Sequence, residues 1–225
     1  MARVVLQDGS LKVAHRQRVV VKAAREKAEA MRGFRRSLPL LGLLLQPLAS
    51  VSYDLRDARM RGVGRAGESS VGYALHYGLP ASWVVVPDAC FRAGDRVVQV
   101  DFACVGPPGL VLVEVKNWHG AFMCRGDAWY RAYRGGWEPC PSPTGQSVRQ
   151  VRVAIAWLKG VPGLPAGSWI YPVVVFAGGA RLYGGGCSVP CFASSRDLLS
   201  ELRRLPGPAL SQGQVEAIVA RLCRG

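Results

Sequence analysis

Acidic residues are scarce in this sequence, and histidine, asparagine and closely paired cysteines are scarcer still. Its 225 residues carry 15 Asp and Glu against 29 Lys and Arg, a formal charge of +14. That balance disfavours cationic partners and attracts polyanions, whether nucleic acid or an acidic membrane face. Asn117 is the only asparagine, and Arg far outnumbers Lys. The three histidines, His15, His76 and His119, lie apart from the cysteines, and no CxxC occurs, which argues against a zinc site. The seven cysteines are odd in number and scattered, with no secretory leader before them, so reduced thiols in a cytoplasmic protein are expected. No apolar run is long enough to span a bilayer. The longest, Leu38 to Val51, is interrupted by Pro39, Gly42 and Pro47 and falls short of the roughly 20 residues required. No Ser, His and carboxylate triad is suggested, and Gly184-Gly185-Gly186 lacks the Lys of a phosphate-binding loop and reads as a flexible turn.

What is present is enough apolar residue, 49%, to bury a real core. The expected organisation is a helical extension over 1–60, basic and then apolar, followed by a domain over 61–225. Lys12, Arg16, Arg25 and Arg32 sit in an Ala-rich, Pro-free stretch that reads as a basic surface helix. The apolar stretch behind it suits core packing, a homodimer contact or a peripheral membrane contact. From Gly62 onward the elements alternate. Gly67-Glu68 opens a helix over Ser69 to Tyr77 that Gly78 and Pro80 stop. Strands are expected at Trp83 to Val86, Val97 to Val105 and Leu110 to Lys116, with a hairpin around Gly135-Gly136. Val148, Val151, Ile155 and Leu158 recur at helical spacing, with Gln146, Arg149 and Gln150 off that face. A strand over Trp169 to Ala177 and helices near 195–205 and 212–223 complete an α/β domain.

The chemistry concentrates in two strands joined by Gly106-Pro107-Pro108-Gly109. Strand side chains alternate, so Gln99, Asp101 and Ala103 are expected on one face, and Leu112, Glu114 and Lys116 on one face. A symmetric turn pairing Val105 with Leu110 would set Asp101 opposite Glu114. Directly opposed carboxylates repel, and a hard divalent cation, Mg²⁺ or Mn²⁺, is the natural compensator. Lys116, two residues beyond Glu114, would point its ammonium at the same centre, where it could stabilise a charged phosphoryl transition state. A Glu and Lys two apart are by themselves often a surface pair.

Gly67-Glu68, Gln99-Val100-Asp101, Glu114-Val115-Lys116-Asn117-Trp118 with Gly120 after it, and Gln146 together resemble the nuclease-related (NERD) family, over about residues 62 to 177. The resemblance implies a restriction-endonuclease-like core of the PD-(D/E)xK type, a mixed central β-sheet flanked by helices. It implies Asp101, Glu114 and Glu68 as metal ligands, Lys116 as the catalytic lysine and Gln146 as a helical residue near the substrate. Val100 stands where the broader superfamily often has Pro.

Nucleic-acid contacts are expected from Arg131, Arg134 and Arg149 and from Trp118 and Trp129, aromatic and basic residues interleaved as in strands that stack unpaired bases. The expected activity is metal-dependent hydrolysis of DNA phosphodiesters, structure-selective or non-specific, in DNA repair or processing. The alternative is a non-catalytic nucleic-acid-binding module of the same fold. A third reading, a membrane-peripheral or oligomeric protein, rests on residues 11 to 51.

Overall fold

The computed structural model describes residues 1–7, 28–29, 32, 66–165, 169–206 and 209–224. Nearly all of the basic helix and the whole apolar stretch read from residues 11 to 51 lie outside these.

Two sheets carry the architecture. In the larger, strands run in the order β1 (Arg3–Val4), β2 (Val84–Ala93), β3 (Arg96–Gly106), β4 (Gly109–Lys116), β8 (Ile170–Phe176) and β10 (Cys191–Phe192). It is mixed: β2, β3 and β4 form an antiparallel meander, whereas β1, β8 and β10 add in parallel. The smaller sheet has the order β7 (Gly136–Cys140), β6 (Ala128–Tyr133), β5 (Ala121–Arg125) and β9 (Arg181–Gly185). Among the described residues, helices α1 over 66–78, α2 (Pro143–Leu158), α3 (Ser195–Leu202) and α4 (Gln212–Arg224) flank the larger sheet.

Apolar strands such as β4, buried from Gly109 to Val115, need cover on both faces. On one side Val71, Leu75 and Leu79 of α1 and its end, with Leu198 and Leu202 of α3, pack on Val85, Phe102, Val111, Val113 and Val173. On the other, Val153, Ala154, Trp157 and Leu158 of α2, with Val215, Ile218 and Leu222 of α4, cover Val84, Val86, Ala103, Leu110 and Leu112. The result is a three-layer α/β domain with a mixed central sheet, as the sequence led one to expect.

The Pro107-Pro108 turn is symmetric, with Gly106 paired to Gly109 and Val105 to Leu110. Gly109 adopts φ 148°, and a Cβ there would collide with the Trp169 carbonyl oxygen, so no other residue fits. Both hairpins of the small sheet close on two-residue loops whose residues all have positive φ, Gly126-Asp127 and Arg134-Gly135. The second loop thus sits one residue before the expected Gly135-Gly136. Gly184 and Gly185 belong to strand β9 and pair with Cys124 and Arg125, so the triple glycine is not simply a turn. Cys124 and Cys187 are bonded to each other, 63 residues apart in sequence, which corrects the expectation of uniformly reduced thiols.

Helix α2 departs from the expected face. Ile155 is exposed, while Thr144, Ser147 and Gln150 are buried against the sheet. Periodicity of apolar residues located the helix, but the face that docks is the one whose polar groups meet charged partners on β4.

Candidate active site

Strands β2 and β3 are kinked together at the point where Asp101 sits. Pro87 pairs with Phe102 and Ala89 with Val100, but Asp88, with φ 52°, drops out of the ladder opposite Asp101. Alternation breaks there, because Val86 and Ala89, like Ala103 and Val100, all pack into one core cluster. Gln99, Asp101 and Ala103 therefore do not share one continuous face as simple alternation would have it. The β3–β4 ladder also ends at the Phe102–Val113 pair, one residue short of Asp101 and Glu114, and it does not reach Gln99 and Lys116. Freed from the ladder, Asp101 turns its carboxylate to accept a hydrogen bond from Val115 N–H at 2.6 Å.

Glu114 is buried, with its side chain only 5% exposed, and both oxygens are engaged. Lys116 Nζ donates to Oε1 at 2.5 Å, Gln146 Nε2 donates to Oε1 at 2.6 Å, and Gln150 Nε2 donates to Oε2 at 2.7 Å. Lys116 also donates to Gln146 Oε1 at 3.1 Å, closing a triangle of carboxylate, ammonium and amide. A buried carboxylate is tolerable only when so surrounded. Gln150 further reaches the Gln99 carbonyl at 2.9 Å, tying α2 to β3 as well as β4. Helix α2 is aimed for this by its N-cap, Ser142, which accepts from Gly145 N–H, with Pro143 at its first turn.

Helix α1 brings in Glu68. Gly67 permits the approach, since a Cβ there would come 2.8 Å from Asn117 Cβ, just past Lys116. Glu68, Asp88 and Asp101 line a pocket of about 310 Å³ between α1 and the kinked strands. Asp88 also accepts from Gln99 Nε2 at 2.8 Å. Burial raises the Asp101 pKa well above the usual carboxylate range, and the charges of Glu114 and, more weakly, Glu68 push it further, against the opposing pull of Val115 N–H and Lys116.

These donors suit a hard divalent cation: clustered, partly buried carboxylate oxygens that repel one another are what such an ion relieves. Their oxygens do not yet converge on one point. Among the described residues, three metal-ligating side chains come within 4.8 Å of one another only at Cys124, Asp127 and Cys187, and two of those sulfurs are bonded together. Glu114 accepts two hydrogen bonds on Oε1 and one on Oε2, so Oε2 is the oxygen with acceptor capacity left for an ion.

Five expected residues, Glu68, Asp101, Glu114, Lys116 and Gln146, are therefore brought to one region. Two that sequence reasoning left out join them: Gln150, four residues after Gln146 and hence on the same helix face, and Asp88, signalled only by tertiary pairing. The expected contacts fare less evenly. Trp129 is buried at 3% exposure, donates to Thr144 Oγ1 and stacks on Phe176, so it is a packing residue and not a nucleic-acid contact. Trp118 lies against Phe122, Trp129 and Phe176 in the same aromatic cluster. Arg149 is exposed on α2, and Arg131 and Arg134 are exposed around the Tyr133 ring, with Arg131 also paired to Glu138.

No helix among the described residues is long and apolar enough to cross a membrane. No curated protein and no solved structure matches the chain. The family model for the nuclease-related domain matches residues 63–177, which takes in α1, the kinked strands, the Glu114–Lys116 strand, the small sheet's first three strands, α2 and β8. With more than half of its length so matched and the site's residues inside that span, this chain belongs to the nuclease-related domain (NERD) family.

Proposed function

We propose that this protein is a Mg²⁺- or Mn²⁺-dependent nuclease of the PD-(D/E)xK type that hydrolyses DNA phosphodiesters with water as the nucleophile. The observation that carries the reading is the convergence of Lys116 and Gln146 on Glu114, beside an Asp101 whose carboxyl is pushed above the usual carboxylate range by burial and, next, by the charge of Glu114.

Asp101, Glu114 and Glu68 are the residues that would hold the cation. Such an ion supplies charge neutralisation at the phosphoryl group and lowers the pKa of water. The protein's own groups do the rest. Lys116, fixed by two hydrogen bonds, presents an ammonium where negative charge grows on the phosphoryl oxygens as water attacks and the leaving alkoxide departs. Gln146 keeps that ammonium from collapsing fully onto Glu114 by offering it a second acceptor. Gln150 holds the far oxygen of Glu114, fixing the carboxylate's rotation. The net charge of +14 favours approach of the polyanionic substrate. The cutting is taken to be structure-selective or non-specific, in repair or processing of DNA.

Cleavage of a labelled panel of single-stranded, duplex and branched DNA with each metal tests the proposal. Wild type should cut, and folded Lys116→Ala and Glu114→Ala variants should not. Absence of cutting by wild type with either ion, or equal cutting by the variants, would leave the alternative, a non-catalytic nucleic-acid-binding module.

A further inference from the structure

Among the described residues, the core uses one of the small sheet's two faces. Phe122, Cys124, Trp129, Leu182 and Cys140 point inward and pack around Phe176. The opposite face is set by register. Tyr183 pairs with Met123, Met123 with Tyr130, and Tyr130 with Pro139, so one row crosses all four strands on the outward side. Trp137, two residues from Pro139, shares that face. Trp137 and Tyr183 are 42% and 49% exposed, yet their rings meet at 5.9 Å and 68° although they come from the two edge strands. Met123 is only 9% exposed and belongs to none of the three core clusters, which follows if these rings lie across it.

An outward apolar face of this kind marks an interaction surface. Its charge says what kind. Arg125 and Arg181, at opposite ends of the β5–β9 pair, are exposed and form no ion pair among the described residues. Flat rings bordered by exposed guanidinium groups complement a ligand that has flat π faces on an anionic backbone.

We infer that the outward face of the β7-β6-β5-β9 sheet, centred on Tyr130, Trp137 and Tyr183, is a stacking platform for the unpaired bases of a single nucleic-acid strand. Strand β5 begins after a connection of only four residues, 117–120, from the strand that carries Glu114 and Lys116. Lys116 and Met123 are thus at most about 25 Å apart along the chain. A strand lying on the platform is close enough for its continuation to enter the site, so the platform selects DNA with unpaired segments for the nuclease reading on which this substrate choice rests. Direct contact through the inward-facing Trp129 is replaced by contact through residues that three strands present outward.

The test is binding of a fluorescent oligo-dT strand to the full chain, by anisotropy, in a chelator so that no cleavage occurs. Tyr183→Ala and Trp137→Ala should each weaken binding by roughly 5- to 100-fold, the range expected for one lost stacking partner. Tyr183→Phe should bind as wild type does. Arg125→Ala and Arg181→Ala should each lower the dependence of affinity on salt by about 0.7 in the log–log slope. Blunt duplex of equal length should compete poorly. Equal oligo-dT affinity for wild type and both alanine variants overturns the inference, as does a change in oligomeric mass without a change in affinity, which would make the face a protein contact. Cleavage by a wild type whose platform variants bind normally would leave the nuclease reading standing alone, and binding without cleavage would leave the platform standing alone.

Discussion

Gln150→Ala is the sharpest probe of how the site is built. The side chain is buried at 3% exposure and spans two acceptors, a Glu114 oxygen at 2.7 Å and the Gln99 carbonyl at 2.9 Å. A hydrogen bond to a charged group is worth about 1.5–3 kcal/mol and a neutral one about 0.5–1.5 kcal/mol, so truncation should cost roughly 2–4 kcal/mol. For a chain of this length that is a fall in Tm of about 5–15 °C. The measurement is urea and thermal unfolding in chelator, so that no cation substitutes for the lost amide. Combining Gln150→Ala with Glu114→Ala should show coupling of about 1–3 kcal/mol, because the amide has no carboxylate left to hold once Glu114 is gone. Turnover should also fall, since Glu114 is left free to rotate. A Tm within about 2 °C of wild type, equivalent to less than 1 kcal/mol, together with additive energies would refute the claim that Gln150 positions Glu114.

Asp101→Asn separates stability from activity. Because the folded pKa of Asp101 is raised, its neutral form is the one the fold prefers; the contribution is full below the unfolded value near 4 and is lost as pH rises through the folded value. In chelator the Asn variant should therefore gain on wild type in Tm as pH rises from about 4 toward 8, while cutting nothing; a pH-independent difference sinks the argument. Added Mn²⁺ should raise the wild-type Tm more at neutral than at acidic pH and leave Asp101→Asn little changed, as read by thermal shift. Gly67→Ala should push α1 off Asn117, lowering stability by about 1–3 kcal/mol and reducing turnover through displacement of Glu68. Trp129→Phe should lower Tm by removing the bond to Thr144 but leave oligo-dT affinity unchanged, since that ring faces the core; an affinity loss in the folded variant would return Trp129 to the binding surface.

Much of this protein is local and therefore readable along the chain. The Gly-Pro-Pro-Gly turn fixes the β3–β4 register through Gly109, whose backbone and whose lack of a Cβ admit no alternative. Once that register is set, Glu114 and Lys116 must share a face, and the caps and glycines around 66–78 and 142–158 put helices before and after them. Asp101, Glu114 and Lys116 could be grouped because they sit at fixed spacings on regular elements, whereas Glu68 and Gln146 entered through the family resemblance.

What local pattern could not carry is whatever depends on two distant segments agreeing. Asp88 leaves its ladder only because β2 bends where β3 also bends, and that paired kink, not alternation, turns Asp101 toward Val115 N–H. The docking face of α2 was misread because its first half meets a buried carboxylate through Gln146 and Gln150, and only its second half, from Val153 to Leu158, meets an apolar partner. The aromatic residues of the small sheet could be counted in sequence, but their sides are assigned by pairing with β9, nearly 60 residues downstream of β5, which buries Trp129 and presents Tyr183 and Trp137. The turn, the β3–β4 pair and the nearness of Asp101, Glu114 and Lys116 are legible along the chain, since those follow from near-neighbour geometry. Only the tertiary structure decided which carboxylates share a pocket and which rings face water, because burial and long-range pairing are properties of the assembled layers.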